Sequence, residues 1–255
     1  MKQKKIAIAF SGGLDSTYLA YESLKKGHSV SLFRVNIDNN WKKNVVEESA
    51  SREIISQLEK DFNTNIEYSR LGDIGMNDCN LEIAQPPIWL FFLASSSGNY
   101  DEIHLGYILN DCAISYLKEI ENAFKAIYVF NKNKNISKIK FPLIKTHKQQ
   151  ILNNLPKKYK KLTVTCENPR VKFERDTYLK MGSYDFIVDV EYKECGDCDT
   201  CEKKKKYCDA DMQLRNTYLN LDKEKEQEKL YSYILEPEAV EVVEETTDRC
   251  TIETN

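Results

Sequence analysis

The chain has 255 residues, 41% of them hydrophobic, and its 37 basic and 40 acidic side chains leave a net charge of −3. That length accommodates one large α/β domain with a small appendage, and the apolar content fills an ordinary core. Near-balanced charge gives no electrostatic footprint for nucleic acid, and no apolar run is long enough to span a bilayer, so neither a nucleic-acid partner nor a membrane is expected.

Met1-Lys2-Gln3-Lys4-Lys5 is basic but leads straight into an apolar segment without a cleavable signal pattern, so a cytoplasmic location is expected. Residues 5–10 are a continuous run that predicts a strand buried on both faces of a parallel sheet. A helix is predicted over 17–26, with Gly27 as its C-terminal cap. The β-branched residues of 30–37 predict a second strand that exits through Asp38-Asn39-Asn40. Val45, Val46, Ala50, Ile54, Ile55, Leu58 and Phe62 then recur at helical spacing over 45–62. A third strand is expected at 65–68, and a helix at 88–97 after Pro86-Pro87. The pattern continues with a fourth strand at 102–105, a helix at 112–127, an edge or loop element at 141–143 and a helix at 149–155 that stops at Pro156.

This alternation predicts an α/β fold over residues 1–160, a parallel twisted sheet with helices on both faces. From residue 161 polar residues and cysteines replace the long apolar runs, which predicts a small C-terminal subdomain over 161–220 that opens with a strand at 162–165. Residues 221–255 read as an acidic, partly disordered tail, with seven acids and one Arg in the last twenty residues. The basic runs at 157–161 and 203–206 read as solvated faces.

The first strand runs into Ser11-Gly12-Gly13-Leu14-Asp15-Ser16-Thr17. A strand, two glycines and a helix start form the layout of a phosphate cradle. Glycines turn the backbone without blocking a ligand, and amide N–H groups with the Ser11, Ser16 and Thr17 hydroxyls converge on one anion. No Gly-Lys-[Ser/Thr] closes the loop, so it is not a Walker A motif. The alternative is an ordinary Gly-rich strand–helix turn.

Eight cysteines without a secretory signal argue against a disulfide framework. Cys195, Cys198 and Cys201 stand two residues apart in Cys-Gly-Asp-Cys-Asp-Thr-Cys, a spacing that brings sulfurs to one side of a tight turn. A closed tetrahedral zinc site needs a fourth ligand, for which Cys166 is the first candidate and Cys208 the competitor. An iron–sulfur centre is the alternative, since thiolates suit both.

Ser-Gly-Gly-x-Asp-Ser resembles the PP-loop of the N-type ATP pyrophosphatases, whose fold is adenine nucleotide alpha hydrolase-like. Paired with Cys…Cys-Gly-x-Cys-x-x-Cys, it resembles the 7-cyano-7-deazaguanine synthase family over residues 4 to about 207. The resemblance implies ATP and Mg²⁺ at Ser11, Gly12, Gly13, Leu14, Asp15, Ser16 and Thr17, and Zn²⁺ on Cys166, Cys195, Cys198 and Cys201. It matches Lys148, in Pro142-Leu143-Ile144-Lys145-Thr146-His147-Lys148, to a lysine that approaches the phosphates, and Asp111 to an acid beside the active centre; with Asp15 these are the implied catalytic residues. Lys204 and Tyr207 correspond to a basic residue and an aromatic that follow the triplet. The implied partners are a deazaguanine-type acid and an amine, with a protein acceptor or a tRNA-modifying reaction as alternatives, and the implied assembly is a homodimer.

The acceptor half departs from the family. Cys112-Ala113-Ile114-Ser115-Tyr116 stands where a Pro-Asp-Cys-Arg-containing stretch is usual, Asp38-Asn39-Asn40-Trp41 replaces a Tyr-Gly-Gln, and Gln85-Pro86-Pro87-Ile88-Trp89 replaces a Pro-Gly-Arg-Asn segment.

Overall fold

The structure is a computed structural model that describes residues 2–38, 40–75, 85–96, 99–109, 111–129, 137–172, 191–198 and 200–202. Cys79, Cys208, Cys250, Lys204, Tyr207 and the tail 221–255 lie outside the described residues. Among the described residues no helix is long and apolar enough to cross a membrane.

Five parallel strands form the sheet in the order β3-β2-β1-β4-β5. They are β1 (Lys5–Ala9), β2 (Ser29–Asp38), β3 (Glu67–Gly75), β4 (Glu102–His104) and β5 (Lys138–Lys140). Parallel neighbours need crossovers, and helices supply them: α1 (Leu14–Lys25), α2 (Trp41–Phe62), α3 (Gln85–Ser96) and α4 (Leu117–Val129). Two short helices follow, α5 (Lys148–Asn154) and α6 (Lys157–Leu162), and then an antiparallel pair, β6 (Arg170–Lys172) and β7 (Glu191–Lys193).

One face of the sheet presents Ile6, Ile8 and Phe10 with Val30 and Leu32. Against it pack Leu19 and Ala20 of α1, Ile54 and Leu58 of α2, Ile151 of α5 and Tyr159 of α6. Ile8, Phe10 and Leu32 are wholly buried, each contributing about 1.5–3 kcal/mol by leaving water. On the other face α3 packs on β2, β3 and α4. Helices thus cover both faces, as β1's unbroken apolar run requires.

Helix ends follow local chemistry. At the end of α1 the Gly27 N–H donates to the Leu24 carbonyl (2.8 Å) and the His28 N–H to the Ser23 carbonyl (3.2 Å), with Gly27 at φ +77°. This is the Schellman pattern, which only glycine enters without strain. Asn40 caps α2, its side chain accepting from the Lys43 N–H at 3.3 Å. β2 and β3 pair from Ser31↔Glu67 to Arg34↔Arg70 and then shift to Val35↔Gly72, so Leu71 is a surplus residue.

Four expectations are corrected. Residues 162–165 form no strand: Leu162 ends α6, and the Val164 N–H donates to the Gly12 carbonyl (3.2 Å) instead of to a ladder. The basic run 157–161 is not merely a solvated face, because it winds into α6 around the fully buried Tyr159, whose hydroxyl donates to Asp61. The segment 112–127 opens as a 3-10 turn (Cys112–Tyr116) and becomes α-helical only from Leu117. The third strand runs to Gly75, well past residue 68.

Candidate active site and cysteine centre

The central strand β1 delivers the loop Ser11–Gly13 to the carboxyl edge of the sheet, where α1 begins. Gly12 has φ +72°, and a side chain there would lie 2.7 Å from Ser51 Oγ and 3.0 Å from the Glu47 carbonyl oxygen. The loop therefore needs glycine twice over, for its left-handed backbone and for the closeness of α2. The Ser11 hydroxyl accepts from the Gly13 N–H (3.3 Å) and lies 3.3 Å from the Ser16 hydroxyl, which donates to the Gly13 carbonyl (3.2 Å). Leu14, Ser16 and Thr17 are buried; the Leu14 side chain packs in the core, and the residue also borders the cleft beside the loop.

Asp15 stands on the first turn of α1 and accepts from Lys148 Nζ at 2.6 Å. Lys148 opens α5, 133 residues along the chain. Burial raises the Asp15 pKa above the ordinary carboxylate value; Lys148 opposes this, and the charge of Asp111 adds to it. Asp15 Oδ1 is buried and has no hydrogen-bond partner among the described residues. Asp111, near enough for its charge to act on Asp15, caps the 3-10 turn by accepting from the Ala113 N–H (3.2 Å). Gly106, at the exit of β4, packs against this helix start, its missing side chain 3.5 Å from the Ser16 nitrogen.

A cleft of about 240 Å³ opens beside the loop. Ser11, Gly13, Asp15 and Lys148 line its polar side, and Val35, Ile37 and Trp89 give it an apolar wall. An apolar wall beside a rim that carries Lys43 and Lys148 together with Asp15, Glu47 and Glu167 suits a flat base joined to a phosphate chain with its divalent cation. The residues present fit a nucleotide and a divalent cation: a glycine loop at a helix start, a lysine, and a buried carboxylate oxygen without a hydrogen-bond partner among the described residues.

Sequence reading missed Arg34. It is 1% exposed in β2 and donates to Asn36 Oδ1 (2.7 Å), the Ser11 carbonyl (3.2 Å) and Glu47 Oε2 (2.9 Å), with Glu48 Oε2 3.6 Å away. The guanidinium fork thus joins the loop to α2. Its one legible signal was a charged residue inside an apolar strand.

Cys166, Cys195, Cys198 and Cys201 bring their sulfurs within 4.8 Å of one another. Cys166 and Cys195 are 3.4 Å apart, and Cys195 and Cys201 3.9 Å. Tetrahedral thiolates around one zinc ion, with Zn–S of about 2.3 Å, stand roughly 3.8 Å apart. The donor set therefore fits one tetrahedral metal ion. Backbone amides support the sulfurs, with the Cys195 N–H donating to Cys166 Sγ (3.2 Å) and the Cys198 N–H to Cys195 Sγ (3.4 Å). Gly196 turns the loop at φ +81°.

Strand order 3-2-1-4-5, all parallel, with a Ser-Gly-Gly-Leu-Asp-Ser loop at the carboxyl end of the central strand, defines an adenine nucleotide alpha hydrolase-like α/β fold. No family model and no curated protein matches the chain. Among solved structures it is similar to the U34-tRNA thiolase NcsA of Methanococcus maripaludis with its [4Fe-4S] cluster, at 19% identity and a TM-score of 0.41 over 60% of this chain. It is also similar to a predicted subunit of tRNA methyltransferase from Methanocaldococcus jannaschii (14% identity, TM-score 0.35, 58% of this chain and 72% of that one). NMN synthetase of Francisella tularensis is a third (19%, TM-score 0.32, 60% of this chain and 63% of that one). The chain spans 56% of the length of the thiolase.

Proposed function

We propose that this chain is an ATP-dependent carbon–nitrogen ligase resembling 7-cyano-7-deazaguanine synthase, which adenylates the carboxylate of a 7-carboxy-7-deazaguanine-type substrate. The observation that carries the reading is the Lys148–Asp15 ion pair at the mouth of the Ser-Gly-Gly-Leu-Asp-Ser loop, joining two motifs 133 residues apart at one phosphate-sized cradle.

A substrate carboxylate oxygen attacks the α-phosphorus of ATP, and pyrophosphate leaves. The Lys148 ammonium has three N–H donors and directs one to Asp15, leaving two for the phosphate oxygens that gain charge in that step. Asp15 holds the ammonium in place and, with Asp111, would hold Mg²⁺, which neutralises phosphate charge when bound. The amine nitrogen then attacks the acyl carbon, AMP departs, and an amide forms. A second adenylation on the amide oxygen followed by loss of AMP and a proton gives the nitrile. Cys166, Cys195, Cys198 and Cys201 would hold Zn²⁺ in a closed structural site, with no open position for chemistry.

The test incubates the full chain with ATP, Mg²⁺ and 7-carboxy-7-deazaguanine, with and without ammonium, and follows AMP, amide and nitrile by mass spectrometry. Nitrile or amide that depends on ammonium supports the reading. In parallel arms that add a protein amine or tRNA, AMP release that depends on the addition transfers the activity to that acceptor, and absence of AMP in every arm overturns the reading.

A further inference from the structure

One side of the cleft is built by residues 163–168, a segment between α6 and β6 with no regular structure. Its attachments include three that matter for the cleft. The Val164 N–H donates to the Gly12 carbonyl at 3.2 Å, so the segment rests on the phosphate loop. The Glu167 carboxylate pairs with Lys43, and the Glu167 carbonyl accepts from Asn40 Nδ2 at 2.8 Å, which fixes it to the start of α2. Between these lies Cys166, fully buried, with its sulfur in the four-cysteine centre.

Thr165 sits in the middle of this strap and lines the cleft together with Ser11, Gly13, Asp15 and Lys148. Its Oγ1 is buried and has no hydrogen-bond partner among the described residues. A buried hydroxyl in that condition costs stability unless a group arrives to meet it. Ser11 and Ser16 already bond within the loop. Thr17 Oγ1 is buried and likewise has no hydrogen-bond partner among the described residues, but Thr17 is not among the residues that line the cleft. Thr200 lines the same cleft, its hydroxyl 3.1 Å from Cys198 Sγ. The centre thus borders the cleft through residues adjacent to its ligands.

We propose that the Thr165 hydroxyl binds the nucleotide, and that the four-cysteine centre holds it in the cleft so that metal and nucleotide occupancy reinforce each other. This rests on the reading of the cleft as an ATP site. The strap anchored by Cys166 presents the hydroxyl, and the Val164–Gly12 bond transmits its position to the phosphate loop. Linkage requires the converse: a bound nucleotide tightens the hold on the metal.

The experiment titrates α,β-methylene-ATP with Mg²⁺ into the zinc-loaded full chain by calorimetry. Thr165→Val, nearly the same size, is expected to weaken binding roughly fivefold to thirtyfold with unchanged zinc content, and Thr165→Ser to restore most of the affinity. Saturating analogue is expected to slow zinc extraction by a chelator several-fold. Wild-type affinity in Thr165→Val, or zinc extraction indifferent to the analogue, overturns the proposal while leaving the ATP reading intact. A wild-type chain that does not bind the analogue overturns both. Should Thr165→Val fail to fold, the extraction rate of the unmodified chain still decides.

Discussion

At the scale of single residues, two buried basic side chains meet opposite fates. Arg34 is charged and fully partnered, and its fork holds the Ser11 carbonyl against α2. Arg34→Met is expected to cost roughly 3 kcal/mol in urea denaturation, because acidic partners remain without their cation. Arg34→Lys is expected to recover only part, since an ammonium cannot span the Ser11 carbonyl, Asn36 and Glu47 at once. His104 is kept neutral. Burial depresses its pKa, although the Glu102 carboxylate at 2.9 Å pulls it up, and His28 and Lys4 add repulsion. The unfolded chain takes up a proton there near pH 6.5, while the folded chain takes it up only at lower pH. Stability from this group is therefore present above about pH 6.5 and lost as pH falls below it. Thermal melting from pH 7.5 to 5.5 is expected to show that loss, and His104→Gln to flatten it; equal slopes in both proteins would refute the assignment.

At the scale of elements, the two left-handed glycines separate backbone strain from crowding. Among the described residues nothing lies within 4 Å of a would-be Cβ on Gly27, so Gly27→Ala is expected to cost only the strain of its φ, about 1–2 kcal/mol. Gly12→Ala carries the same strain and also pushes on the Glu47 carbonyl, which belongs to α2 and cannot rotate away. Its urea midpoint is expected below that of Gly27→Ala, with nucleotide affinity lost in addition; equal midpoints would mean that α2 yields easily. The same comparison explains what was readable. β1, the loop and α1 were legible because strand, glycines and helix succeed one another locally. The segment 162–165 misled because Leu-Thr-Val-Thr alternates like a strand, yet no neighbour offers it a ladder. α6 was hidden because only Tyr159 and Leu162 turn apolar surface inward among lysines. Arg34 was invisible as a clamp because Ser11 and Glu47 meet it only after the sheet and α2 have assembled.

At the scale of the whole molecule, the cysteine centre joins distant stretches of chain, residue 166 on one side and 195–201 on the other. The zinc-loaded protein is expected to melt about 5 °C or more above the chelated one, because a metal that binds only the folded chain shifts the equilibrium by mass action. Cys198→Ser is expected to lose zinc on metal analysis; full retention would remove Cys198 from the ligand set. The four sulfurs could be picked out from their spacing. That the strap carrying Cys166 also walls the cleft could not, because the contact between Val164 and Gly12 spans most of the domain's sequence.

The surplus residue in β3 carries a different lesson. Arg34 lies opposite Arg70 and Val35 opposite Gly72, so Leu71 has no counterpart and the strand changes parity halfway along. Chains sharing this architecture can gain or lose one residue at that point while β1, the loop and α1 keep their places. An ungapped comparison with a chain that lacks the bulge would then be out of step over half of β3, even if every residue lining the cleft matched. Kinship in this fold is better sought strand by strand than by uninterrupted similarity.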